Sequence, residues 1–473
     1  MCCREARKKQ KEYSTRGTTE FNAMNERNFY KSFFAMTVTM ALQNIIVFGV
    51  NLADSIMMGA YSETALSGVG ICNNIQYFLM MAATGVSSGM TVIAARYWGR
   101  NDRKSIHLIS AVGMWLGAAF SVIIFLFAAI APEFLIRLYT DKPAVAEQAL
   151  QYLGIIKHTY IIYALTTVLL SILRSVETVK IGFYVSLSSF AVNIVLNYIF
   201  IYGKFGAPEM GVRGAALATL IARSIELVVV VIYTLFIDKK LSFRLRDLFV
   251  TTRSMFGDYF RTGLPLMMSS VSWGVAMSIQ GAIIGRLDES AIAANSIATT
   301  IFQIATVICY ASSNATCVLI GKTIGEDAPM ETIKSRSRRL QLIFLGIGVV
   351  SSAILLLCKT LIIDFYDATP QTIAYTNQFI WVLAVSIIGT SYEAPCLCGI
   401  VSGGGETGFV LKNDFIFMWL VVLPISALSA FVFKFPVVVT FACLKADQVI
   451  KCIVAYFKVN SFNWVRKITK EAE

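Results

Sequence analysis

Long apolar runs separated by short polar segments dominate the pattern of this chain. Twelve such runs stand at about 33–59, 70–95, 106–131, 149–172, 181–203, 212–237, 263–286, 291–320, 340–363, 376–400, 411–433 and 436–457. As helices rising about 1.5 Å per residue, each spans the roughly 30 Å of a hydrocarbon core. Lipid offers the backbone no hydrogen-bonding partner, so a chain with this pattern satisfies its peptide groups inside helices. The predicted fold class is an all-α membrane protein with twelve transmembrane helices.

The pattern also repeats. DSIMMGAYSETALSGVGI at 54–71 returns as QGAIIGRLDESAIAANSI at 280–297, aligning Gly59 with Gly285, Glu63 with Glu289 and Ala65 with Ala291. SSGMT at 87–91 then matches SSNAT at 312–316, Gly99 matches Gly325, and Glu177-Thr178 matches Glu406-Thr407. Ordered matches at a nearly constant offset imply a duplicated six-helix unit. Six is even, so two six-helix lobes keep one orientation and are related by a pseudo-two-fold along the membrane normal, with a cavity expected between them. The predicted division is a polar tail (1–30), an N-lobe (31–237), a linker (238–262), a C-lobe (263–459) and a second tail (460–473). In the linker, Leu241, Leu245, Leu248 and Phe249 mix with Lys240, Arg244 and Arg246, as in a helix lying on an anionic leaflet.

Charge chooses the orientation. Only 15% of the 473 residues are charged, against about 25% in soluble domains, yet the formal net charge is +12. Thirty of the 41 Lys and Arg fall in the tails and the even-numbered connections, and seven in the odd-numbered ones. This asymmetry predicts a multi-pass protein of the cytoplasmic membrane with both termini cytoplasmic, and it accounts for the basicity without a nucleic-acid partner. The basic N-terminus has no apolar core segment and is not expected to be a cleaved signal peptide. Ten scattered cysteines and two histidines, His107 and His158, suggest neither a disulfide framework nor a metal centre. The GGG at 403–405 lacks a P-loop lysine, and there is no nucleophile–base constellation. The chain is therefore expected to be neither an enzyme nor driven by ATP, and to need no cofactor.

The candidate chemistry begins at Asp54, in the first run. A carboxylate inside a spanning helix costs roughly 2.5–3.5 kcal/mol to insert, so it is kept where it faces a cavity or a partner. Gln43, Val47, Val50, Asn51 and Asp54 are spaced by threes and fours and share one helix face. The alternative is that Asp54 sits near the end of its span and meets interfacial water. Asn193 and Asn197, four apart, put two amides on one face of the fifth helix. Gln280 takes the repeat position of Asp54, so the acid is kept in one lobe only. Glu393 is a second acid well inside a span, suited either to bind a cation or amine or to hold the helix bend near Pro395. Asp447 with Lys451, and Arg223 with Glu226, have the spacing of structural pairs.

Several ordered stretches resemble the multidrug and toxic compound extrusion (MATE) transporters, over essentially the whole chain from Tyr30 to Lys458. They are LADSIMMG, RYWGRND, LRSVETVKIGF, NIVLNYIFIYG, GVRGAALATLIAR and GLPLMMSS. The resemblance implies two six-helix lobes around a central cavity, and export of organic, often cationic, compounds in exchange for protons or sodium. It matches Asp54 to the family's membrane-embedded acid, Asn193 to its partner asparagine and Thr219 to a polar contributor from the sixth helix. Asn197 stands where some members carry a second aspartate. The sodium-coupled NorM-like branch has an acid in the seventh helix where this chain has Trp273, and one in the tenth that aligns near Ser391, two residues from Glu393.

The expected function is secondary active multidrug efflux by alternating access. Asp54, Asn193, Asn197 and Thr219 would couple H+ or Na+, and Gln43, Asn51, Trp273, Gln280 and Glu393 would face the cavity. The expected partners are small organic molecules and the lipid bilayer, and the expected state is a monomer. The alternative is a flippase for lipid-linked precursors on the same plan. Such proteins line their cavity with several cations, for which Arg223, Lys157, Lys445 and Lys451 are the candidates.

Overall fold

The apolar runs fold as helices. The structure, a computed structural model, describes residues 2–287, 289–364 and 369–466. The first helix, α1 (Cys2–Tyr61), turns at Ser62, whose hydroxyl oxygen accepts from the Ala65 N–H and caps α2 (Glu63–Gly99). Asp102 caps α3 (Arg103–Ile130) in the same way, accepting from the Ser105 N–H at 3.0 Å. After the short α4 (Pro132–Arg137), the fourth crossing is broken. Its halves, α5 (Pro143–Ile156) and α6 (Thr159–Ser175), meet at 52°. Helices α7 (Lys180–Tyr202) and α8 (Val212–Ile232) complete the first lobe. The second lobe holds α9 (Arg253–Gly285), α10 (Glu289–Ala305), α11 (Val307–Gly325), α12 (Met330–Asp364) and α13 (Pro370–Ala394). It ends with α14 (Thr407–Phe415), α15 (Leu423–Ala427), α16 (Val437–Lys445) and α17 (Asp447–Ser461).

Among the described residues, ten helical segments are each long and apolar enough to cross a membrane, and the bent α5–α6 pair makes an eleventh crossing. The α16–α17 pair, joined through Ala446, supplies the twelfth. The fold is the expected two lobes of six. Its duplication is visible in the elements themselves: Glu63–Gly99 in α2 corresponds to Glu289–Gly325 in α10 and α11, both ends displaced by 226 residues. Large apolar side chains such as Ile123, Leu357 and Phe457 stay exposed on the outer faces, where the solvent is lipid.

The lobes meet through α2 against α9 and α11, and through α1 against α11. Contact is tightest at the end of the bundle that carries both termini. A Cβ on Gly99 would stand 2.2 Å from the Lys322 carbonyl oxygen, and one on Gly325 would stand 2.0 Å from the Arg96 carbonyl oxygen. These glycines are repeat equivalents, so the pseudo-two-fold passes between them and the contact is self-complementary. The polar contacts around it are reciprocal too. Arg96 donates to the carbonyls of Gly404 (3.0 Å) and Arg466, while its equivalent Lys322 reaches Glu177 at 2.6 Å. Glu26 of α1 pairs with Arg336 of α12 at 2.8 Å. Towards the other end, Gly281 and Gly285 have open space where a Cβ would stand. The lobes form a V, closed where the chain begins and ends.

Three segments differ from expectation. Residues 238–252 form no helix beyond a single 3-10 turn, Leu245–Leu248. Asp238 accepts from the Leu241 N–H at 2.9 Å and Leu241 and Leu248 are buried, so local side-chain bonds and core packing displace the surface helix. The seventh crossing starts ten residues early, at Arg253, and passes through Pro265 instead of beginning beside it. The N-terminal segment is helical in its backbone and continuous with the first crossing. At the other terminus, Phe462–Arg466 turns back beneath the 403–405 loop with Trp464 fully buried, and residues after Arg466 lie outside the described set.

Candidate functional site

Packing of α1 along α7 brings Asp54 to the two asparagines. The Asn197 amide donates to Asp54 Oδ1 and to Asn193 Oδ1 (3.1 Å), and the Asn193 amide donates to Thr219 Oγ1 at 3.3 Å. Both asparagines are buried, as their shared helix face requires. One acceptor is left over, because Asn197 Oδ1 is buried without a hydrogen-bond partner. An unpaired buried acceptor costs about 1–3 kcal/mol, a penalty that a bound proton or cation relieves. A pocket of about 40 Å³ lies here, lined by Asp54, Asn51, Asn193, Thr219, Arg223 and Glu226. That is room for an ion and a water or two, since one water needs roughly 10–15 Å³. The four residues assigned to ion coupling therefore form one connected network.

A second space, of about 720 Å³, lies between the lobes. Gln43, Asn51, Trp273 and Gln280 line it as expected, and the Gln280 amide donates to Met418 Sδ at 3.4 Å. Asp54 lines the side pocket and is not among the residues lining the central cavity. The two compartments share Val47, Asn51, Ser186, Arg223 and Glu226 as common wall. In that wall Arg223 Nη1 contacts Glu226 Oε2 at 2.8 Å, and the guanidinium stacks 5.2 Å from the Tyr163 ring centre.

Glu393 corrects the sequence reading. It is not among the residues lining the cavity, and it is 8% exposed within the second lobe. The reason is that α13 packs along α17, which brings Glu393 into the field of Lys451, Asp414 and Asp447. Lys451, itself buried, contacts Asp414 at 3.0 Å and Asp447 at 3.5 Å, and Ser269 donates to Asp414 at 2.5 Å. The Asp447–Lys451 pair follows from spacing. Asp414 does not, because it comes from α14 and no local pattern links it to α17. Removing one partner of such a cluster strands uncompensated charge. Lys451→Met is expected to lower stability by about 3 kcal/mol or more, read as a fall in the thermal unfolding midpoint, with Lys451→Arg milder. An unchanged midpoint for Lys451→Met would mean that the cluster is not structural.

Two further cations line the cavity, Lys445, which the sequence offered only under the flippase alternative, and Arg174, which sequence reasoning missed. Arg174 looks like part of a connection, yet it lies in the last turn of α6. Lys445 stands two residues before Asp447, which puts it on a different face of the helix from the Asp447–Lys451 pair.

Two lobes of six crossings around a cavity, with Asp54 in a polar pocket beside it, have the plan of an alternating-access membrane transporter. The MatE family model matches residues 39–199 and 265–428, one segment in each lobe, and the chain belongs to that family. It is 23% identical over 442 residues to the "Uncharacterized transporter YisQ" of Bacillus subtilis, covering 92% of this chain and 95% of the relative. It is 24% identical over 435 residues to the "Probable multidrug resistance protein NorM" of Thermotoga maritima, covering 91% and 92%. A solved structure described as the "Outward-facing conformation of a multidrug resistance MATE family transporter of the MOP superfamily" shares the fold. Its TM-score is 0.81 at 21% identity, covering 91% of this chain and 95% of that one.

Proposed function

We propose that this protein is a secondary active efflux transporter that moves small organic compounds out across the cytoplasmic membrane in exchange for H+ or Na+. Family membership and the multidrug resistance relatives support efflux. The observation that carries coupling is that Asp54 occupies its own polar pocket while sharing a wall with the cavity. Ion and substrate then have separate places but one common boundary.

Helix α1 is the mechanical link. It holds Asp54 in the pocket, Gln43 and Asn44 on the cavity wall, and Glu26 in the closed-end pair with Arg336. A proton or cation at Asp54 neutralises the charge that the Asn197 amide meets, which loosens the contact between α1 and α7. A shift of α1 then reaches the cavity and the closed end together. The basic asymmetry of the connections supports a cytoplasmic position for that closed end, and in this reading the described state opens outward. No covalent step enters this cycle, and the chain works as a monomer.

Inside-out vesicles carrying the protein and given a fluorescent substrate separate the coupling ions. A pH gradient or a sodium gradient is expected to drive uptake, and the effective one names the ion. If neither gradient moves any tested compound above vesicles without the protein, the antiport reading falls.

A further inference from the structure

The charges around the central cavity point to one class of substrate. Four charged residues line it: Arg174, Arg223, Glu226 and Lys445. Glu226 is the acid among them, and Arg223 holds it at 2.8 Å. Asp54 faces the side pocket and is bonded to Asn197. A cationic compound in the cavity therefore meets no uncommitted carboxylate. Arg174 and Lys445, in contrast, have no carboxylate within ion-pair distance among the described residues. Lys445 instead lies over the rings of Phe302 and Phe441, 5.3 and 5.9 Å from their centres. Its nearest acid in sequence, Asp447, is committed to Lys451 and Gln448.

The two free cations belong to opposite lobes, Arg174 to α6 and Lys445 to α16. Aromatic side chains, among them Tyr77, Trp273, Phe302 and Phe441, line the same space. Basic groups on both walls with rings nearby suit a molecule with an anionic group and a flat apolar body. A cation there is repelled from both sides in surroundings of low dielectric. Export of an anion from a negatively charged interior also runs with the membrane potential.

We propose that the central cavity takes amphipathic organic anions, held by Arg174 of one lobe and Lys445 of the other. This rests on the efflux reading above and names its substrate class, which differs from the cationic compounds that the family resemblance suggests. The same chemistry fits a free aromatic acid and the head group of an anionic lipid.

Binding to the purified full-length protein in phosphatidylcholine nanodiscs tests it, with tryptophan fluorescence as the signal because Trp273 lines the cavity. The probes are 5-carboxyfluorescein and ethidium. Carboxyfluorescein is expected to bind about tenfold tighter than ethidium, and Arg174→Gln and Lys445→Gln are each expected to weaken it about tenfold. Lys445→Arg and Arg174→Lys should retain binding, and Lys445→Glu should raise ethidium affinity. Tighter ethidium binding to the wild type, or carboxyfluorescein binding unchanged in both Gln variants, overturns the proposal.

Adding phosphatidylglycerol to the nanodiscs distinguishes the sources. Competition that disappears in Lys445→Gln assigns the site to a lipid anion, and its absence assigns it to a free organic acid. Gradient-driven ethidium export without anion binding sinks this inference and leaves efflux standing. Anion binding without gradient-driven movement does the reverse.

Discussion

Asp54→Asn is expected to reduce gradient-driven export to the level of vesicles without the protein, while the protein folds and still binds its substrate. The substitution preserves shape and leaves an oxygen for the Asn197 amide to meet, so the link between α1 and α7 survives in neutral form. What disappears is the change of charge. Because an intramembrane carboxylate costs roughly 2.5–3.5 kcal/mol to insert, the amide should not lower the unfolding midpoint and is free to raise it. Binding should persist because Asp54 lines the pocket and not the cavity. Transport and binding are thus predicted to separate, which a general folding defect would not produce. Asp54→Glu keeps the charge but moves it one methylene towards Asn197, and partial export is expected. If the asparagine variant exports at the wild-type rate, the coupling site lies elsewhere.

The parts of this design legible in the sequence are those that local spacing controls. Asp54 and Asn193 line one pocket, with Asn197 bonded to both, because three- and four-residue intervals fix which side chains share a face. The duplicated half fixes which helices are equivalent. Partnerships between distant elements are different. Asp414 meets Lys451 only once α14 and α17 are side by side. Most crossings are apolar all round, so hydrophobic periodicity does not say which face looks inward. Irregular turns add to this. The π-helical stretch Pro395–Val401 follows Glu393, and π-turns at Ile416–Val422 and Leu428–Val432 interrupt the eleventh crossing, each shifting the register that a 3.6-residue wheel assumes. Arg174 escaped for a related reason: a basic residue near a helix end looks like part of a connection until a neighbouring lobe walls it into a cavity.

Gly99→Ala and Gly325→Ala are each expected to prevent the closed end from forming and to stop export, although each adds a single methyl group. The space it would need is already filled by backbone. The new carbon would lie 2.2 Å from the Lys322 carbonyl in one case and 2.0 Å from the Arg96 carbonyl in the other. Backbone on packed helices cannot swing aside as a side chain can, so the lobes must part. Overpacking of this kind costs about 1–3 kcal/mol, and 3 kcal/mol shifts the balance between open and closed forms by roughly 100-fold. Each lobe alone has room for alanine, since the clashing atoms belong to the other lobe, so folding should survive. Parting the lobes also separates Arg96 from the Gly404 and Arg466 carbonyls and Lys322 from Glu177. Hydrogen exchange should therefore quicken together at 96–103, 322–328 and 402–406, three segments that the substitution itself does not touch in common. Exchanging the charges of Lys322 and Glu177 gives a milder control: Lys322→Glu alone should loosen the end, and adding Glu177→Lys should restore it. Wild-type exchange and export in both alanine variants would show that the lobes do not depend on this contact. Because the two glycines are repeat equivalents on one axis, equal effects from both are the sharper expectation, and a large asymmetry would mean that the halves do not close as symmetric partners.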